Sequence, residues 1–364
     1  MKFQNILFVQ DSSPCIRTIK IATALYYEGL NIHLAHRNKT PDEAYGYGNS
    51  SFKSISILPK YRFKDIKFIK QLIIKYNIDL VHFHNQPDQL GAKLIESKLG
   101  IPIIYDQHDF MFFKHHLSKK EKKYEQVCNE EANGTVYITK TYKNEVSQYY
   151  NLIDNSICFG NYFPQNSILE SADFLSKTSS LSKKLNLVYL GRISEHKNDH
   201  RNIVNVIQNL SNRDLVIHIY PSKNKKYPSF SQISNVVIHD KLPYNKLIKE
   251  ISQYDFGVTA FNDEVASKLP HIRYAFGNKT YDYLCAGLPV LVQNCLDDVL
   301  DFITNNSFGF VMENYDEYNN LSSSEYSNIV LNIIQSRNQF SMENQIHRIV
   351  EFYEKTVEIF YAKT

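Results

Sequence analysis

GNKTYDYLCAGLPVLV, residues 277–292, reads as a loop, a short helix and a buried strand. Gly277, Asn278, Lys279 and Thr280 open the helix with small, polar and cationic groups. A helix start carries backbone N–H groups without intrahelical partners, so a lysine beside it completes an anion site. Asp282 follows one turn deeper, where a carboxylate can accept hydrogen bonds from sugar hydroxyls. Cys285-Ala286-Gly287 closes the helix, and Leu288-Pro289 feeds the apolar run Val290-Leu291-Val292. The pattern describes a pocket for a phosphate attached to a sugar, which is the chemistry of a nucleotide-sugar.

A second motif lies upstream, LVYLGRISEHKN at 187–198. A buried strand ends at Leu190, Gly191 turns the chain, and Arg192 and Lys197 follow. The guanidinium offers a planar fork of donors and the ammonium a compact point charge, a pair suited to a diphosphate. When a sugar–phosphate bond breaks, negative charge builds on the departing diphosphate. Cations aimed there stabilise the transition state more than the ground state. A lone Arg or Lys at a strand–helix junction is more simply a solvated surface residue. The pair, with an anion-binding helix start in the same half of the chain, favours function.

Apolar runs alternate with amphipathic ones along the whole chain, the signature of βαβ units on parallel sheets. Strands are expected at Ile6–Gln10, Asn31–Ala35, Leu80–His84 and Ile101–Tyr105, with helices at Ile16–Tyr27 and 63–76. In the latter, Phe63, Ile66, Ile69, Ile73 and Tyr76 share a face. After a Ser-rich stretch the pattern restarts with strand Leu185–Leu190 and helix 199–210. This gives a first domain over 1–165, a linker over 166–184 and a second domain over 185–340, with a helix at about 341–360 free to fold back onto the first. Ligands of such sheets bind outside the carboxyl ends of the strands.

Composition removes other classes. Lys+Arg 41 against Asp+Glu 38 gives a net charge of +3, which argues against a nucleic-acid partner. No apolar run approaches the roughly 18 residues of a spanning helix, and MKFQNILFVQDSS reads as a first strand and not as a signal peptide. The five cysteines are odd in number and scattered without C-x-x-C, which fits reduced thiols in the cytoplasm and argues against zinc or a disulfide frame. No G-x-G-x-x-G follows the first strand, which counts against a nicotinamide enzyme. No D-x-D stands at a strand end, so neither a metal nor another cofactor is expected.

These motifs make the chain resemble a GT-B glycosyltransferase of the retaining type grouped as family 4. In that family G-R-x-x-x-x-K begins the second domain and N-K-x-x-E-Y-x-x-x-G-x-P binds the donor. Here they stand as Gly191, Arg192, Lys197 and as Asn278, Lys279, Asp282, Tyr283, Gly287, Pro289. The resemblance implies an α/β fold of two Rossmann-like domains facing across a cleft. It implies that Arg192 and Lys197 hold the donor diphosphate, that the helix start at Asn278 to Thr280 supports the same phosphates, and that Asp282 accepts from the ribose. The acceptor it implies is a glycan or lipid-linked group in bacterial surface polysaccharide, lipopolysaccharide or capsule synthesis. There are departures: the family's glutamate is Asp282, the earlier acid position is Tyr274, and the strand ending at Tyr220-Pro221 lacks a nearby glycine. The rivals are a GT-B sugar-nucleotide 2-epimerase and a non-catalytic paralogue that binds a partner transferase.

In the first half, IPIIYDQHDF (101–110) puts His108 and Asp109 just past a strand. The resemblance places such a histidine near the donor sugar and acceptor. In VHFHN, His82 and His84 share a strand face, and His84 lies nearer its carboxyl end. Ser12, Ser13 and Arg17 follow the first strand and are in place to meet an acceptor, although Arg17 reads equally as a surface helix residue. Residues 51–123 carry 14 Lys+Arg against 7 Asp+Glu. Lysines around helix 63–76 and the run Phe110-Met111-Phe112-Phe113 admit two readings: a basic, aromatic face resting on the inner membrane surface, or a solvated helix face beside core aromatics.

Overall fold

The computed structural model describes residues 3–114, 117–170, 173–177, 184–213, 215–266 and 268–363. It divides into two units, Met1–Asn161 with Met342–Thr364, and Tyr162–Ser341. The first is built on seven parallel strands: β1 (Asn5–Gln10), β2 (Asn31–His36), β3 (Ser54–Ile57), β4 (Leu80–His84), β5 (Ile103–Gln107), β6 (Gly134–Tyr137) and β7 (Ser156–Cys158). Their order is β3-β2-β1-β4-β5-β6-β7, so the direction of winding reverses between β1 and β4. Register sets Gln10 opposite His84, and His84 opposite Asp106. Period-two alternation then puts Phe8, Gln10, His82, His84 and Asp106 on one sheet face. The other face carries Leu7, Val9, Val81, Phe83, Ile103 and Tyr105 into a core with Ile69, Leu72, Leu90, Leu94 and Val127.

The histidine-bearing face is covered by helices Ile16–Tyr27 and Met342–Ala362. The latter packs tightly: Tyr353 hydroxyl meets His82 Nδ1, Asn155 donates to Thr356 Oγ1 at 2.8 Å, and Gly134 leaves room for the Phe352 ring.

The second unit has six parallel strands: β8 (Asn186–Gly191), β9 (Val216–Pro221), β10 (Val236–Ile238), β11 (Phe256–Thr259), β12 (Val290–Val292) and β13 (Gly309–Val311). The order β10-β9-β8-β11-β12-β13 places its reversal between β8 and β11. Its core gathers Leu187, Tyr189, Ile207, Leu210, Ile217, Phe256, Val258 and Leu291. Where described, residues 166–177 pack on this unit: the Leu175 N–H donates to Ser252 Oγ at 3.0 Å and Lys177 donates to the carbonyls of Ser252 and Tyr254. Residues 178–183 of the expected linker lie outside the described residues.

Three local expectations shift. β5 runs from Ile103 to Gln107, not from Ile101 to Tyr105, because Pro102 has no N–H to give the ladder and offers only its carbonyl, to Val81 N at 3.0 Å. The helix expected over 63–76 begins at Asp65, whose carboxylate is tied to Arg37 at 2.7 Å. Phe63 stands in the preceding 3-10 turn, 78% exposed, and not on the buried face. The helix expected over 199–210 spans Val204–Ser211.

Candidate functional site

In the second unit the site is organised by one tyrosine and one glycine. β8 and β11 pair only at Phe256↔Leu187 and Gly257↔Val188. Beyond that the Tyr283 hydroxyl bridges them, donating to Val258 O at 2.9 Å and accepting from Leu190 N at 3.0 Å. A Cβ at Gly257 would sit inside the Tyr283 ring, so only glycine lets the helix Asn278–Cys285 lie this close to the sheet. The helix therefore starts at the carboxyl ends of β8 and β11, at the winding reversal where doubly wound sheets bind ligands.

Gly191 ends β8 at φ +120, a conformation that L side chains rarely adopt, and its carbonyl accepts from Ser222 N at 3.0 Å. Arg192 and Lys197 follow, both exposed, and among the described residues neither side chain has a hydrogen bond or ion pair. The loop is tied down by its backbone, with Asn262 Nδ2 donating to Lys197 O at 2.8 Å. Gly277, the N-cap of the helix, has an extended backbone and contributes no side-chain cap. Asn278 is half-buried.

Lys279 turns inward. Its ammonium donates to Ala260 O at 3.2 Å and lies 4.2 Å from the Tyr189 ring centroid and 4.9 Å from that of Phe261. Burial, with Arg201 nearby, pulls this ammonium down to about 7. Thr280 is fully buried with its hydroxyl 3.3 Å from that of Thr259. Asp282 is buried and accepts from the Tyr244 hydroxyl at 2.7 Å.

In the first unit a buried charge cluster stands at the ends of β4 and β5. Asp106 has no solvent exposure, and Arg17 Nε donates to both of its oxygens at 3.2 and 2.9 Å. The same guanidinium donates to Gly160 O and Phe159 O at 2.9 Å each. Burial opposes the Asp106 charge, yet Arg17, with His82 and His84, holds the carboxyl well below the usual range. Burial also keeps both histidines neutral, His84 down to about 3. Their rings stack at 4.3 Å, and His82 Nε2 and His84 Nδ1 face Asp106 Oδ2 at 3.6 and 3.4 Å.

These three side chains could reach a common metal ion, their ligand atoms lying within 4.8 Å of one another. The positive charge at this carboxylate is supplied by Arg17.

His108, just past β5, is mostly buried, with Nδ1 3.9 Å from Asp106 Oδ1. Burial works against its charge, but Cys15, Asp106 and Asp109 raise it to about 9. Asp109 is turned toward the segment after β4: its carbonyl accepts from Asn85 Nδ2 at 2.6 Å and its carboxylate from Gln86 Nε2. Ser13 Oγ accepts from Lys39 N at 3.2 Å. His84 is fully buried against Asp106.

The sequence reading missed Asp106, Gly257 and the role of Tyr283, and left Arg17 undecided. The one available signal was an acid in the apolar run IIYD, which cannot stay buried without a cation.

Comparison with known proteins follows the same division. Residues 17–158 match Glycosyltransferase Family 4, and residues 179–350 match the glucosyltransferase 3-like, C-terminal domain. The chain is a glycosyltransferase, its first half similar to family 4. No curated protein matches the transferase in sequence. Among solved structures, a glycosyltransferase from Rickettsia africae ESF-5 superposes with a TM-score of 0.72 at 14% identity, covering 98% of this chain and 99% of that one. Sucrose-phosphate synthase from Thermosynechococcus elongatus gives 0.73 at 12%, covering 99% and 100%. Anabaena HepE in complex with UDP-glucose gives 0.69 at 14%, covering 95% and 99%. At these identities the likeness concerns the fold, and the transferase has the GT-B fold.

Proposed function

We propose that the transferase moves a sugar from a nucleotide-sugar donor to a glycan or lipid-linked acceptor in bacterial surface polysaccharide synthesis, with retention of configuration. The observation that carries this reading is the pair Arg192 and Lys197, exposed and uncommitted after the positive-φ Gly191. Lys279, by contrast, is spent on Ala260 O and two aromatic rings. In this reading Arg192 and Lys197 grip the diphosphate and stabilise the charge it gains on leaving. N–H groups at the start of helix Asn278–Cys285 add to that field, and Asp282 holds the ribose. The departing phosphate takes the acceptor proton on the same face of the sugar, and His108 orients the sugar. HepE, bound to UDP-glucose, supports a UDP-sugar as the first donor to try.

In this reading the two cations do the work that other transferases give to a divalent metal, so turnover is expected to survive chelator. The direct test is donor consumption with an oligosaccharide or lipid-linked acceptor panel, with and without EDTA. Donor consumed without any acceptor would instead favour the epimerase, and no nucleotide binding would favour the non-catalytic paralogue.

Peripheral contact with the inner membrane belongs to the same reading. Among the described residues no helix is long and apolar enough to cross a membrane. Phe110 is buried and Phe112 packs on it and on Tyr149, so neither is free to meet lipid. The support lies instead at Ile57, Tyr61, Phe63 and Ile74, exposed by 62%, 56%, 78% and 77%, with Lys64 over the Tyr61 and Phe63 rings. Co-sedimentation with anionic vesicles at low salt is expected, and loss of it in Phe63→Ser. Failure of the wild type to sediment removes the membrane from the account.

A further inference from the structure

The carboxylate assigned to the ribose is held from a second element. Asp282 Oδ1 accepts from the Tyr244 hydroxyl at 2.7 Å, across 38 positions of sequence. Tyr244 is the first residue of the helix Tyr244–Ile251, which packs on the helix Asn278–Cys285. Pro243 precedes it at φ −58 and ψ 147, and the Pro243 carbonyl accepts from Leu247 N at 2.9 Å. Ile248 and Ile251 of the same helix are buried. Its far end is tied to the tip of β9: the Tyr220 hydroxyl donates to Glu250 Oε1 at 2.9 Å and lies 2.7 Å from that of Tyr254. The partner helix is fixed to the sheet by Tyr283 across Gly257. Both ends of the Tyr244–Asp282 hydrogen bond therefore stand on anchored elements, and the bond sets where the carboxylate points.

We propose that Tyr244 is a positioning residue for ribose recognition, holding the Asp282 carboxylate so that it tells a ribonucleotide donor from its deoxyribose counterpart. The assignment rests on the donor reading above and extends it to a residue outside both motifs. Asp is one methylene shorter than the glutamate of the family pattern, so it has one torsion fewer to fix. A phenol hydrogen bond to one of its oxygens restrains what freedom is left. A carboxylate has about four acceptor sites, so the bond to Tyr244 leaves it able to accept from the two neighbouring hydroxyls of a ribose. A deoxyribose lacks one of them, and a site built to accept a hydroxyl is then left with an unmatched acceptor. Asp282 is 8% exposed, so little water is at hand to replace the missing partner.

Tyr244→Phe keeps the ring and removes only the donor. The carboxylate then loses its fixed direction, so affinity falls and the ribose preference falls with it. A tyrosine that served packing alone would lower stability, or affinity for every ligand alike, and leave that preference in place.

The test is calorimetric titration of the full chain with UDP, GDP, ADP and CDP, then with the 2′-deoxy and 3′-deoxy forms of the diphosphate that binds best. Wild type is expected to bind at least one deoxy form about tenfold or more weaker than the ribonucleotide. In Tyr244→Phe that ratio is expected to shrink to about threefold or less, with the ribonucleotide itself bound about tenfold weaker and the ligand-free melting temperature little changed. Wild type that binds ribo- and deoxyribonucleotides equally overturns the proposal, and this comparison needs no variant. A folded Tyr244→Phe protein with the wild-type ratio overturns it as well, while leaving the donor reading in place. Wild type that binds none of the four diphosphates overturns the donor reading and this assignment together.

Discussion

A carboxylate without solvent exposure persists at position 106 because Arg17 donates to both of its oxygens. The pair is buried on both sides, so removing one partner strands the other. Asp106→Ala is expected to cost about 3–5 kcal/mol in urea unfolding, far more than a surface ion pair. Because the folded carboxyl is held below its unfolded value, its contribution is present above about pH 4 and is lost as pH falls through the folded value. Asp106→Asn should therefore lose part of the acid sensitivity of unfolding as well as stability at neutral pH, a pairing that a pH series of urea melts reads directly. Asp106 and Arg17 lie 89 positions apart, which is why no local pattern announced them. Arg192, Lys197, Asn278 and Asp282 could be proposed from sequence because each sits in a short motif just after a strand or at a helix start. What the motif could not tell was direction: Lys279 faces two rings and a carbonyl, and Thr280 faces Thr259.

At the scale of elements, the helix Asn278–Cys285 is held by a contact that its own sequence does not reveal. Tyr283 reaches across Gly257 to bridge Leu190 and Val258. Gly257→Ala has no room for its methyl and is expected to cost about 1–3 kcal/mol, while Tyr283→Phe strands the buried Leu190 N–H at a comparable cost. Both should also weaken nucleotide binding, since each moves the helix start. A Gly257→Ala protein with unchanged melting and unchanged binding contradicts this role. The parallel strands were readable because their apolar runs are nearly continuous. The helix Lys119–Glu131 was not, because its composition is dominated by charge. It is set instead by a capping box, with Glu121 N donating to Ser118 Oγ at 3.3 Å and Ser118 N to the Glu121 carboxylate at 2.8 Å. It also carries the fully buried Glu125, which accepts from Met111 N and Phe112 N at 2.7 and 3.1 Å.

At the scale of the molecule, the first unit is discontinuous in sequence. Its sheet is made from the first 161 residues, yet one face is covered by the helix Met342–Ala362 from the far end of the chain. Ile346, Ile349, Phe352, Tyr353 and Val357 are buried on that helix. Removing residues 342–364 uncovers that apolar face and leaves His82 without Tyr353. The truncated chain is expected to lose cooperative melting of the first unit, followed by calorimetry or near-UV dichroism, while the second unit keeps its own transition. Two transitions at the full-length temperatures contradict that dependence. Each unit also has its own winding reversal, β1 to β4 and β8 to β11, and the residues assigned to transfer stand at the carboxyl ends beside them.

The most direct test concerns the second of these reversals: a thermal-shift series with UDP-glucose, without added metal, on wild type, Arg192→Ala and Lys197→Ala. A ligand that binds only the folded chain raises its melting temperature. A clear rise in wild type, abolished or strongly reduced in both variants whose ligand-free melting is unchanged, is the predicted result. Turnover should fall by about 10² or more in each. Equal shifts in all three proteins, with turnover preserved, contradict the assignment of Arg192 and Lys197 as the diphosphate clamp.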